Sequence, residues 1–177
     1  MNFLELTSYV GGPEGYADFP NFPDHIWPLV TSKAKEVESL YLFQNDDSSS
    51  LSWPGQYEVV TRRIVRINSL AALTDQELRK VEHLSFYGGH LNVLYRISRA
   101  SSLLRELCKL FPVVKLSSDD VEQIGLDEES LVELRTFIEA LPTEFLCFSF
   151  THDADPLYVF GELEALRELL RSSYGSG

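Results

Sequence analysis

The chain has no long hydrophobic run. Nothing in its 177 residues approaches the roughly 18 consecutive apolar residues that a membrane-spanning helix needs. Its opening, MNFLELTSYV, lacks the basic start and apolar core of a secretory leader, which predicts a cytoplasmic protein. Cysteine is scarce. Cys108 and Cys147 sit far apart in apolar runs, so buried free thiols are expected rather than a disulfide. Cations are in short supply: 15 Lys and Arg face 27 Asp and Glu, for a net charge of −12. That balance argues against nucleic acid or an anionic membrane as partner, because phosphate binding draws on an excess of clustered bases. Phosphate-binding and nucleophile signatures are missing too. No Gly-x-x-x-x-Gly-Lys-Ser/Thr, Gly-x-Gly-x-x-Gly or Gly-x-Ser-x-Gly occurs, and Gly11, Gly12 and Gly15 open no helix. Neither cysteine has the neighbouring His or glycine-rich setting that would lower its pKa. No cofactor is expected.

Aromatic residues are plentiful, with eleven Phe, eight Tyr and two Trp, and 44% of the chain is hydrophobic. That is ample for a folded core despite the charge. One domain is expected over residues 1–177, of mixed α+β class, with a sheet of about five or six short strands covered by helices. The stretch Pro142–Gly161, PTEFLCFSFTHDADPLYVFG, anchors this reading. In Glu144–Phe150, Leu146, Phe148 and Phe150 point one way and Phe145 and Cys147 the other; Leu157–Phe160 is equally apolar. Strands apolar on both faces need cover on both faces, which puts this pair at the middle of the sheet, between helices at 127–141 and 162–171.

Residues 3–10 alternate as a first strand. The segment EGYADFPNFPDHIWPL follows, where Pro20, Pro23 and Pro28 argue against a regular helix or an interior strand. Its Tyr16, Phe19, Phe22 and Trp27 make residues 1–30 a strand plus an aromatic arm, laid over the core or offered as a binding loop. Thr31–Phe43 reads as a helix with Val37, Leu40 and Tyr41 on one face, and 44–55 as a flexible polar loop. Gln56–Asn68 reads as a strand whose Tyr57, Val59, Val65 and Ile67 share a face. Thr74-Asp75-Gln76-Glu77 is a capping-box pattern opening a helix that Gly88-Gly89 can end. Leu91–Ile97 alternates as a strand, Ser101–Phe111 is an amphipathic helix and Val113–Leu116 a short strand. Asp119–Ile124 reads as a brief helix. Asp127–Leu141 is a longer one with Leu131, Leu134, Phe137 and Ile138 as its stripe. Glu162–Arg171 is the last helix, before a frayed tail at 172–177.

Two constellations could carry function. The connection Thr151–Pro156 holds His152, Asp153 and Asp155, which could bind a divalent metal through oxygen ligands or pair an acid with a base. An Asp-x-Asp after a strand resembles the metal–nucleotide motif of sugar-nucleotide transferases. That resemblance covers Asp153 and Asp155 alone, and the glycine-rich nucleotide-binding half is missing upstream. Ordinary loop chemistry accounts for the same residues, since Asp ends strands by bonding its own backbone and Pro156 can restart one. His25, His83 and His90 add no ligand spacing: Glu82-His83 followed by His90 misses the His-Glu-x-x-His register. No metal site is expected.

The second constellation is the acidic run Ser117–Glu139, with Asp119, Asp120, Glu122, Asp127, Glu128, Glu129, Glu133 and Glu139 against the single base Arg135. Charge is uneven along the chain: residues 57–115 hold ten bases and five acids, residues 116–177 three bases and fourteen acids. Acids at helix starts favour the helix dipole and solvate an outer face, which is a sufficient structural role. Such a face can also steer and hold a cationic protein. The expectation is therefore an acidic, non-enzymatic binding protein for a basic protein partner, of the antitoxin or immunity-inhibitor kind. Its contact residues would be Asp119, Asp120, Glu122, Asp127, Glu128, Glu129 and Glu133. Two alternatives stand beside it: a metal-assisted hydrolase or transferase using His152, Asp153 and Asp155, and a structural subunit docking through Tyr16, Phe19, Phe22 and Trp27.

Overall fold

The computed structural model describes residues 2–7, 9–11, 13, 15–16, 25–44, 56–61, 64–67, 69–87, 91–118, 128–150 and 157–174. In chain order the elements are β1 (Phe3–Thr7), β2 (Tyr9–Gly11), β3 (Gly15–Tyr16), α1 (Trp27–Ser32), β4 (Val37–Gln44), β5 (Tyr57–Val59), β6 (Ile64–Ile67), α2 (Asp75–Tyr87), β7 (Leu91–Ser98), α3 (Ser102–Leu110), β8 (Val113–Ser117), α4 (Glu128–Glu139), β9 (Phe145–Phe150), β10 (Leu157–Phe160) and α5 (Leu163–Tyr174). The class is α+β. Eight strands form one sheet in the order β5-β6-β4-β7-β9-β10-β1-β8, and β2 and β3 pair separately. Every neighbouring pair of the large sheet is antiparallel. Eight exceeds the expected five or six. No helix among the described residues is long and apolar enough to cross a membrane.

The strand pair β9–β10 sits inside the sheet, with β9 between β7 and β10. Both faces are covered, as the two-sided apolar pattern requires. On one face Leu4, Leu40, Tyr95, Phe148 and Val159 pack with Trp27 of α1, Val81 of α2, Leu104 and Leu107 of α3 and Leu166 of α5. On the other, Phe3, Tyr41, Leu94, Cys147, Tyr158 and Phe160 pack with Leu134 and Ile138 of α4. Each fully buried side chain of this size contributes about 1.5–3 kcal/mol. Aromatic pairs lock the register: Tyr95 opposite Phe148 stacks at 4.5 Å between ring centroids and 6° between planes. Tyr41 of β4 meets Phe137 of α4 at 4.3 Å.

The helix expected over Thr31–Phe43 is a correction. Residues 37–44 form β4, which pairs with both β6 and β7 deep in the sheet. Val37, Leu40 and Tyr41 fit a helical spacing, but Leu40 and Leu42 enter one core and Tyr41 the other. Apolar groups on both faces are what a central strand needs. The helix lies earlier, at Trp27–Ser32, with Pro28 in its first turn, where a missing N–H costs no intrahelical bond and the ring's fixed φ suits the helix. Trp27 is buried there. The single strand expected over Gln56–Asn68 is two, β5 and β6, paired antiparallel through a turn. Because Tyr57 faces Ile67 and Val59 faces Val65, the expected shared apolar face survives the turn. The last helix runs three residues past Arg171 to Tyr174, whose hydroxyl donates to the Cys108 carbonyl at 2.6 Å. Gln44 of the loop expected at 44–55 belongs to β4, and residues 172–174 of the tail expected at 172–177 belong to the last helix; the rest of both, and the brief helix expected at 119–124, lie outside the described residues.

The capping box forms as expected. The Thr74 N–H donates to Glu77 Oε1 at 3.3 Å and the Glu77 N–H to Thr74 Oγ1 at 3.2 Å, satisfying two donors that α2 would otherwise leave open. Ser101 caps α3, its Oγ accepting from the Leu103 N–H at 3.0 Å. Glu36 supports that same end, accepting from the Ser102 N–H at 3.0 Å, where a carboxylate complements the helix dipole.

Candidate functional site

α4 carries four acids, Glu128, Glu129, Glu133 and Glu139, and one base, Arg135. Its apolar stripe commits one side to the sheet, with Leu134 and Ile138 buried. The other side is open: Val132, Thr136 and Glu139 are exposed. Glu133 is half-buried and accepts a hydrogen bond from Thr61 Oγ1 at 3.1 Å. That bond ties the middle of α4 to the β5–β6 turn. Of the seven acids expected to contact a partner, Glu133 is therefore engaged within the fold. Glu128 and Glu129 lie in the first turn of α4. Asp119, Asp120, Glu122 and Asp127 lie outside the described residues, as do His152, Asp153 and Asp155. Phe19 and Phe22 of the arm also lie outside them, while Tyr16 falls in β3 and Trp27 in the core.

At its other end α4 closes a cleft of about 420 Å³, lined by Asn2, Ile138, Glu139, Leu141, Pro142, Thr143, Phe145, Gly161 and Glu162. The antiparallel register makes this cleft. Phe3 pairs with Phe160, Phe160 with Cys147 and Ser98 with Phe145, so the starts of β1 and β9 and the end of β10 share one end of the sheet. The last turn of α4 and the residue before α5 bring two carboxylates to it. No Lys, Arg or His is among the described residues lining the cleft, and the last turn of α4 carries no base. The carbonyls at a helix C-terminus carry partial negative charge, and Glu139 adds to it. The cleft is polarised for a cation, and Ile138 and Leu141 of its lining are apolar surface suited to the stem of a Lys or Arg.

Phe145 also lines a second cleft of about 500 Å³ with Lys35, Glu36, Glu38, Ser98 and Ser101. The Arg96 guanidinium lies 4.1 Å above the Phe145 ring and its Nη1 is 3.8 Å from Glu38 Oε1. This cleft is charge-mixed and internally compensated, so the first is the one with anionic excess. Neither Phe145 nor Glu162 stood out in the sequence. The only signal would have been Glu162 preceding a helix, an ordinary feature.

Burial keeps both thiols protonated. Cys108 and Cys147 are free and buried. Burial pushes the Cys108 thiol up to about 11 against a weaker opposing effect of Ser173, and burial raises Cys147 further against the charge of Arg96. Among the described residues no three His, Cys, Asp or Glu side chains gather as a metal-binding group. No family model, no curated protein and no solved structure matches the chain.

Proposed function

We propose that this chain is a non-enzymatic binding protein that engages a basic protein partner through the acidic side of α4 and the cleft at its C-terminal end. An inhibitor of the antitoxin or immunity kind, covering a cationic surface, is its most concrete form. The observation that carries the reading is that Glu139 and Glu162 both line a cleft whose described lining includes no cation. The net charge of −12 supports it at long range, because an anionic surface raises the encounter rate with a cationic one, by about 10- to 1000-fold at low salt. Individual exposed ion pairs add only about 0.2–1 kcal/mol each. The affinity must therefore come from several such pairs together with apolar contact on Ile138 and Leu141.

The test is capture from the native cell extract on immobilised protein, at about 50 mM and about 500 mM salt, since the Debye length shortens from over 10 Å to a few ångströms across that range. Basic proteins should be retained at low salt and lost at high salt, and the Glu139→Gln/Glu162→Gln variant should retain them several-fold less. Salt-independent retention, or a retained protein with no basic surface, would refute the reading.

A further inference from the structure

Arg96 of β7 is largely buried, with its side chain 17% exposed, yet its Nε has no hydrogen-bond partner. Its ion pair among the described residues, from Nη1 to Glu38 Oε1, is 3.8 Å long, too long for a hydrogen bond. The five N–H donors of a guanidinium normally meet acceptors when buried. Ser39 stands opposite Arg96 in the ladder, fully buried, and its Oγ also lacks a partner. Glu38 and Phe145, the two side chains against the guanidinium, both line the second cleft. Contact with the Phe145 ring holds the cation there without using any of its N–H donors. The placement of Glu38 has a local cause. Val37 pairs with Ile97 and Ser39 with Arg96, so Glu38 is the extra residue of a β-bulge. A bulge re-aims a side chain, and the Glu38 carboxylate stays 42% exposed. As a whole the cleft is balanced, but its charges are not equally committed. Glu36 is tied to the start of α3, accepting from the Ser102 N–H at 3.0 Å and from Ser102 Oγ at 3.2 Å. That leaves Arg96 and the exposed Lys35 against Glu38.

We propose that this cleft is a carboxylate-binding site, with Arg96 as its receptor and Glu38 as the resident carboxylate that an incoming one displaces. The ligand is a small carboxylic acid or the C-terminus of a peptide. A carboxylate matches the planar fork of a guanidinium with two parallel N–H···O bonds, which supply the acceptors that Arg96 lacks. Phe145 and Ala100 offer apolar contact to whatever carries it, and about 500 Å³ is within the size of small-ligand pockets. A single negative charge fits better than a phosphate, because Glu36 and Glu38 stay nearby and the chain carries −12. Among the described residues the site shares only Phe145 with the Glu139–Glu162 cleft, and it does not depend on the basic-partner reading.

The full chain, labelled with nitrogen-15, is titrated with acetate, with acetyl-Ala-Ala, with the C-terminal amide of that peptide and with inorganic phosphate. Binding is read by NMR from the Arg96 Nε–H and from the backbone amides of Glu38 and Ser98. A carboxylate probe should shift these resonances saturably, the amide should not, and phosphate should do so more weakly. Acetate binding as tightly as the peptide acid assigns the site to a small acid, and tighter binding of the peptide acid assigns it to a chain terminus. Either supports the proposal. Glu38→Gln removes the resident competitor and should tighten carboxylate binding by up to about fivefold, the worth of one exposed ion pair. Misfolding cannot imitate that gain. Arg96→Lys keeps the charge but loses the fork, and should weaken binding about tenfold as read from the two amides. Should that variant unfold, Glu38→Gln decides. No saturable shift with either carboxylate, an equal shift with the amide, a preference for phosphate, or Glu38→Gln binding no tighter than the parent overturns the proposal. Glu139→Gln/Glu162→Gln should leave carboxylate binding unchanged while reducing capture of the basic partner, so the two proposals fail separately.

Discussion

Gly161 shows how closely the two sides of the candidate cleft approach the core. A methyl group added there would collide with Cδ2 of Leu146, which is fully buried. Gly161→Ala should therefore cost about 1–3 kcal/mol in urea denaturation, the range for overpacking. Combined with Leu146→Ala it should cost less than the sum of the two single changes, because the second change removes the atom that clashes. The buried thiols make a prediction at alkaline pH. Cys108 is raised to about 11 from 9.0, Cys147 is raised further, and Tyr174 is raised to about 12 from 10.0 by burial and then by Cys108. In each case the folded state holds the proton more tightly than the unfolded chain. Their contribution is complete below the unfolded pKa and is lost as pH rises through the folded one. Melting temperature should fall from about pH 9 upward, and Cys108→Ala/Cys147→Ala should move that onset to about pH 10, where Tyr174 begins to contribute. An onset unmoved by the double change would contradict this assignment.

At the scale of elements, α4 is the only helix whose residues enter the second core among the described residues, so its buried stripe bears on the whole face. Leu134→Ala should cost about 2–5 kcal/mol and deprotect the amides of β7 and β10 to hydrogen exchange. Val132→Ala, two residues away but 57% exposed, should change stability by no more than about 0.5 kcal/mol. If both cost the same, α4 does not pack as described. The α2 cap is an independent check on a local signal, and Thr74→Ala should cost about 0.5–2 kcal/mol. That cap was readable because both partners lie within four residues and bond each other. The strand character of β4 is not legible locally because its pattern satisfies two periods at once. Val37, Leu40 and Tyr41 are three and four apart, while Leu40 and Leu42 are two apart, and only neighbouring strands on both sides decide between these.

For the molecule as a whole, the charge of −12 should act in opposite directions on stability and binding. Raising salt from about 10 mM to about 300 mM screens self-repulsion, so the melting temperature of the free protein should rise while its affinity for a basic partner falls. A melting temperature that falls with salt would mean that specific ion pairs outweigh the excess charge. Arg99 with Glu168 and Lys33 with Glu106 are such pairs, but they are at least partly exposed and individually weak. By itself the amino-acid pattern determined the α+β class, the interior strands β9 and β10, the helices α2, α3 and α4, the buried thiols and the acidic excess. These follow from local periodicity, short-range capping and composition, which need no knowledge of distant neighbours. Only the tertiary structure decided that Val37–Gln44 is a central strand, that Tyr57–Val59 and Ile64–Ile67 are two paired strands with the first at the sheet edge, and that Glu139 and Glu162 share a cleft at one end of the sheet. Each depends on which strands lie side by side and in what register, and the antiparallel ladder joins residues that lie far apart along the chain.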